Sequence, residues 1–96
     1  MKKIYIVGLG YIGLPLACIL SQKKKIICID TDKKKIEDLK NKKLPFKEKN
    51  LKNLFYKNYS NLIFYDKYIA SKEKKVFIIC VPTPLKNGKA NLKFLN

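Results

Sequence analysis

Four short apolar runs stand out from a lysine-rich chain, and the intervals between them carry helical spacing. The first, residues 3–7, reads Lys-Ile-Tyr-Ile-Val. Nearly continuous apolar character over so short a run is the pattern of a strand covered on both faces, as in a parallel sheet. A second run, 26–30, closes on Asp30; a third, 61–65, carries Leu62, Ile63 and Phe64; the fourth spans 75–81. Between the first two, the spacing predicts a helix over 11–22, with Leu16, Ala17, Ile19 and Leu20 as its apolar surface. Pro15 falls in or just past its first turn, where a missing N–H costs little. Lys23, Lys24 and Lys25 form the solvated turn that follows. A helix over 33–41 has Ile36 and Leu39 on its core side. After a turn at Pro45, a short helix over 50–56 carries Leu51, Leu54 and Phe55. Asp66 is a candidate cap for one more short helix containing Ile69 and Ala70, and 91–96 reads as the start of another. Pro82 and Pro84 force an irregular loop after the fourth strand, and Gly88 is a further turn signal.

Strands that alternate with helices imply a parallel sheet with right-handed crossovers. The expected fold is therefore α/β, a Rossmann-type sheet of about four strands in the order 3-2-1-4 with helices on both faces. That sheet is incomplete, and its fourth strand forms an exposed apolar edge, an aggregation hazard. The order reverses between strands one and four, so a ligand crevice opens at their carboxyl ends. Two distinctive loops meet there: the one after Val7 and the one after Val81.

The loop after Val7 is Gly8-Leu-Gly10-Tyr-Ile-Gly13, a G-x-G-x-x-G turn leading from a strand into a helix. Its glycines have separate tasks. Gly8 permits the tight turn, Gly10 lets the backbone approach a pyrophosphate, and Gly13 lets the helix pack against the strand. The helix then presents free N–H groups and its positive dipole end to the phosphates. Asp30 lies 17 residues beyond Gly13 and 22 beyond Gly8, near the offset of about 20 expected for a ribose reader. A carboxylate there accepts hydrogen bonds from ribose hydroxyls and repels a 2′-phosphate, which favours NAD over NADP. Asp30 and Asp32 compete for the role of helix cap; capping goes to Asp32 and ribose contact to Asp30.

Composition adds limits. Ninety-six residues, 47% of them apolar, make one small globular domain without a repeat or linker. No run approaches the roughly 20 apolar residues of a membrane span, and the N-terminus lacks the features of a signal peptide. The expectation is a cytoplasmic protein that binds neither membrane nor nucleic acid. The net charge of +15 argues the other way, since basic surfaces attract nucleic acid. Yet all 22 basic residues are Lys, scattered along the chain beside eight Asn and twelve Ile, and Arg, the better phosphate reader, is missing. A lysine-rich nucleic-acid binder stays an alternative, with Tyr56, Tyr59, Tyr65 and Tyr68 as stacking candidates that fit a half-buried α/β surface equally well. Three Cys and no His match no zinc spacing and allow no histidine-dependent triad. Cys18, Cys28 and Cys80 each sit in an apolar run, as buried, inert thiols do.

Gly8-Leu-Gly-Tyr-Ile-Gly-Leu-Pro-Leu-Ala17, taken with Ile79-Cys-Val-Pro-Thr-Pro-Leu85, resembles the start of the nucleotide-sugar 6-dehydrogenases, the UDP-glucose/GDP-mannose dehydrogenase family. The Leu-Pro-Leu-Ala segment and the Val-Pro-Thr-Pro-Leu loop look most like its UDP-N-acetylhexosamine branch, which makes uronic acids for surface polysaccharides. Asn41-x-x-x-Pro45-x-x-Glu48-x-x-Leu51 is similar to a third family segment. The resemblance implies that residues 1–96 are the N-terminal NAD-binding Rossmann domain, truncated, with NAD as cofactor. Tyr11 and Ile12 would then offer backbone N–H groups to the pyrophosphate, and Asp30 would hold the adenosine ribose. Lys35 would assist at the ribose hydroxyls or serve only as a solvated helix lysine. Thr83 would contact the cofactor or serve turn chemistry alone.

The family oxidises a sugar C6 alcohol twice, through a thiohemiacetal and thioester on a catalytic Cys. That Cys, its assisting Lys and the sugar-nucleotide domain lie downstream of Asn96, and Cys80 is not the nucleophile. The chain is thus expected to hold no catalytic or metal-binding residue and to be inactive alone. Its partners would be NAD and a complementing downstream catalytic fragment, the nucleotide sugar binding only in a full-length enzyme. A stand-alone NAD-binding module is the alternative. The chain departs from the family pattern where glycines are replaced by lysine, before strand two at Lys24 or Lys25 and between Asn41 and Pro45 at Lys43, and where Lys49-Asn50 follows Glu48.

Overall fold

The computed structural model describes residues 2–80, 85–86 and 89–90. The expected alternation is present: β1 (Lys3–Val7), α1 (Gly13–Leu20), β2 (Ile26–Ile29), α2 (Lys33–Lys40), α3 (Lys49–Lys57), β3 (Leu62–Tyr65) and β4 (Lys75–Ile79). The strands form one parallel sheet in the order β3-β2-β1-β4. Its register brings Val7 level with Ile29 on one side and Ile79 on the other, so β1 ends between its neighbours at the same height. The glycine turn therefore leaves the centre of the sheet's carboxyl edge.

Both faces of β1 and β2 are buried, as their unbroken apolar runs predict. On one face Ile6, Ile26, Cys28, Leu62 and Phe64 pack against Leu14, Ala17 and Cys18 of α1, Ile36 and Leu39 of α2, and Leu51 and Phe55 of α3. All three helices thus share this face. The opposite face was expected to carry helices too. Among the described residues no helix lies there; Tyr5, Ile27 and Ile29 form a second cluster with Val7, Ile63 and Tyr65. Tyr68, from the connection between β3 and β4, lies over Tyr5 at 5.7 Å, and Phe77 of β4 stacks on Tyr5 at 4.9 Å.

The short helix expected after Asp66 is absent; residues 66–74 hold only bends and irregular backbone. Distance explains it. These nine residues must cross two strands and return along the sheet to reach β4. Crossing alone takes about 14 Å at roughly 4.8 Å per strand. Nine helical residues rise only about 13 Å, whereas extended backbone reaches about 30 Å.

Other boundaries shift locally. α1 begins at Gly13 because Tyr11 and Ile12 belong to the turn, and Pro15 then falls in the first helical turn. Asp32 caps α2 as expected, its carboxylate accepting the Lys35 N–H at 3.1 Å. Glu48 does the same for α3, accepting the N–H groups of Asn50 and Leu51 at 3.0 and 2.7 Å. β4 stops at Ile79, so Cys80 lies just past the strand and is half-buried, whereas Cys18 and Cys28 are fully buried. Burial pushes the Cys18 thiol up to about 11 and raises that of Cys28 as well, which keeps both thiols protonated and inert. Two further strands, β5 (Leu85–Lys86) and β6 (Lys89–Ala90), pair antiparallel. The Asn87-Gly88 dipeptide between them in the sequence is a strong hairpin signal. The helix expected over 91–96 lies outside the described residues.

The four tyrosines considered for base stacking serve the fold. Tyr59 donates its hydroxyl to the Leu39 and Lys40 carbonyls, and Tyr56 donates to that of Lys42. Tyr65 and Tyr68 pack against the second sheet face. Among the described residues, no helix is long and apolar enough to cross a membrane.

Candidate functional site

The turn after β1 is held from below by the sheet. Gly8 donates its N–H to the Ile29 carbonyl at 2.8 Å and has a φ of 97°, a left-handed conformation that glycine adopts without strain. Leu9 drops its side chain into the core, fully buried. The chain then rises over Gly10, Tyr11 and Ile12 into α1, and the Leu14 N–H closes the turn on the Gly10 carbonyl at 3.3 Å. Tyr11 and Ile12 stand 88% and 73% exposed, so the backbone beneath them faces solvent. No acceptor among the described residues takes the N–H groups of Tyr11 or Ile12. The Ile12 side chain cannot cap the helix, and its first turn carries no acidic residue. An uncapped helix start with free donors has the chemistry of an anion site.

The three glycines separate cleanly. A Cβ on Gly13 would lie 1.7 Å from the Gly8 carbonyl oxygen and 3.2 Å from the Cys80 Cβ, so glycine there is a packing requirement. A Cβ on Gly10 would meet nothing within 4 Å. Gly10 also lacks the left-handed φ of Gly8. Neither packing nor backbone strain demands a glycine at this position. The open space would suit a ligand lying against the backbone, as a dinucleotide's pyrophosphate does.

Asp30, one residue past β2, faces the same turn. Its Oδ2 accepts the Leu9 N–H at 2.9 Å, and its Oδ1 accepts the Asp32 N–H at 2.9 Å. Lys35 brings its Nζ to 3.5 Å from Oδ2. Burial works against the carboxylate charge, but the N–H groups of Asp32 and Leu9 and the Lys35 ammonium together outweigh it. The carboxyl is held below its ordinary range. Asp30 is thus ionised at neutral pH and fit to accept from ribose hydroxyls. Lys35 also lines a cleft of about 380 Å³ with Asp32, Lys34, Asp38, Lys43, Leu44 and Pro45. Tyr11 leans over Phe46, ring centres 5.4 Å apart, so the 41–48 connection reaches the glycine turn.

The structure brings Gly8, Gly10, Tyr11, Ile12, Gly13, Asp30 and Lys35 to one end of the sheet. Thr83 lies outside the described residues. The chain approaches it from beside the turn, since Cys80 donates its N–H to the Val7 carbonyl at 2.7 Å. Sequence reasoning missed Leu9, which contributes through its backbone N–H; no side-chain type signals such a role.

Comparison with known proteins agrees with this geometry. The family model described as "UDP-glucose/GDP-mannose dehydrogenase family, NAD binding domain" matches residues 2–96. A UDP-N-acetyl-D-mannosamine dehydrogenase of Methanococcus aeolicus is 40% identical over 95 residues, 93% of this chain and 21% of the relative. A UDP-N-acetyl-D-glucosamine 6-dehydrogenase of Salmonella typhi is 38% identical over 90 residues, 91% of this chain and 20% of that protein. The solved UDP-D-ManNAc dehydrogenase of Pyrococcus horikoshii superposes with a TM-score of 0.82 at 29% identity, over 98% of this chain and 23% of its own. The chain therefore spans about a fifth of the length of the relatives it matches. It belongs to the UDP-glucose/GDP-mannose dehydrogenase family, as the NAD-binding domain.

Proposed function

We propose that this chain supplies the NAD-binding portion of an enzyme that oxidises a UDP-sugar to its uronic acid. The sugar is a UDP-N-acetylhexosamine and the product serves surface polysaccharide synthesis. The open space over Gly10 carries the cofactor half of this reading. The substrate half rests on the Leu14-Pro-Leu-Ala17 segment and on the activities named for the relatives. NAD, when bound, would supply the hydride acceptor, and the chain's own residues would hold and orient it. Gly8 shapes the turn, Gly10 clears the pyrophosphate, and Gly13 seats α1. The Tyr11 and Ile12 N–H groups meet the phosphates. Asp30 would accept from the adenosine ribose with Lys35 beside it, and Thr83 would contact the cofactor.

On this reading the 96 residues bind and orient the cofactor and are inactive alone. The exposure of β4 supports a complementing piece. Val76, Phe77 and Ile79 are exposed, and β1 is its only partner strand among the described residues. Such an apolar edge favours further pairing. Sedimentation of the isolated chain should show self-association, and a soluble, cooperatively melting monomer would count against a missing partner.

Titration calorimetry with NAD tests the cofactor reading. Wild type should bind, and Asp30→Ala should lose about 1.5–3 kcal/mol, the range for hydrogen bonds to a charged group. No binding at millimolar NAD would overturn it.

A further inference from the structure

Asp30 is already engaged before any cofactor arrives. Its Oδ2 takes the N–H of Leu9, 21 residues earlier and inside the glycine turn, while Oδ1 takes that of Asp32, the cap of α2. The Gly8 N–H on the Ile29 carbonyl adds a second tie one residue away. Leu9 is pinned on its other side by a fully buried side chain. Lys35 sits 3.5 Å from the oxygen that holds Leu9. We infer that Asp30 is a positioning residue for the glycine turn as well as a ribose contact. It latches the Leu9 N–H and so fixes the path of Gly10, Tyr11 and Ile12 in advance.

The two roles are compatible. An ionised carboxylate has about four acceptor sites, and the backbone donors and Lys35 leave room for ribose hydroxyls. One carboxylate then serves both ends of the site. It reads the sugar directly and presents the phosphate-facing backbone through Leu9. The consequence for binding rests on the NAD reading above; the latch itself does not.

Hydrogen exchange on the cofactor-free chain, followed residue by residue by NMR, tests the latch. Asp30→Ala should speed exchange of the Leu9 amide by about tenfold or more, while Cys28, inside β2, keeps its protection. Should the alanine variant unfold, Asp30→Asn decides. Its single carboxamide oxygen can hold one of the two N–H groups, so either Leu9 or Asp32 exchanges faster and the other does not. Unchanged exchange at both positions in a folded variant overturns the latch.

A second arm uses an NAD analogue whose adenosine is 2′,3′-dideoxy and offers no ribose hydroxyl to Asp30. The latch predicts that Asp30→Ala binds this analogue several-fold more weakly than wild type. Equal affinity would assign Asp30 to the ribose alone and overturn the positioning role. If neither protein binds NAD, the cofactor reading fails, and the exchange data still decide the latch.

Discussion

Two connections among the described residues depend on an unusual backbone, and they solve the problem differently. The turn from β1 to α1 keeps glycine at Gly8, Gly10 and Gly13. The end of α2 does not. There Lys42 adopts a φ of 60° without being glycine. The Lys43 N–H returns to the Asp38 carbonyl at 2.7 Å and the Lys42 N–H to that of Leu39 at 3.1 Å, closing a Schellman motif. The resemblance assigns a lost glycine to Lys43; the left-handed residue is its neighbour Lys42. A lysine in that conformation costs only about 1 kcal/mol, and its ammonium lies over the Tyr59 ring, 5.0 Å from the ring centre. At Gly13 a Cβ would run into the Gly8 carbonyl, whereas at Gly10 it would enter open space, the space proposed for the cofactor. Lysine is tolerated at the left-handed position where the penalty is small, and glycine is kept at Gly13 where packing forbids a side chain.

The contrast can be broken at several points. Gly13→Ala should have the largest effect, lowering stability by about 3 kcal/mol or more through backbone overlap; thermal melting would show it. A melt within experimental error of wild type would mean that the helix can move off the strand. Lys42→Gly should raise stability by about 1 kcal/mol and leave NAD binding unchanged. A loss of stability there would show that the lysine side chain contributes more than the backbone costs.

The smallest effect concerns acid. The Asp30 carboxyl is depressed in the folded chain, so its stabilisation is fully present above the ordinary carboxylate value, near 3.9. It is lost as the pH falls through the lower folded value. Asp30→Asn should therefore show a shallower decline in melting temperature than wild type below about pH 4. Parallel acid limbs would remove Asp30 from the account of acid sensitivity.

Much of this was legible in residues 3–30. Continuous apolar runs specify buried parallel strands, and a glycine triplet between strand and helix specifies the turn, because each depends on local spacing. The helix expected after Asp66 failed because local capping propensity says nothing of the distance a crossover must span. Among the described residues the helices share one face because of the same missing helix, since the connection from β3 to β4 is the one that lies over the second face. Leu9 was invisible for a different reason. A backbone N–H meeting a carboxylate 21 residues away is a product of register, and register appears only when β1 and β2 are paired.

The central claim is that Gly10 is glycine for a ligand and not for the fold. Gly10→Ala measures it directly, with melting and NAD titration done on the same preparation. The account predicts stability within about 0.5 kcal/mol of wild type, as for an unencumbered surface change. It also predicts NAD affinity reduced by about tenfold or more, equivalent to 1.4 kcal/mol or above. Undiminished NAD binding by a folded Gly10→Ala protein would contradict it.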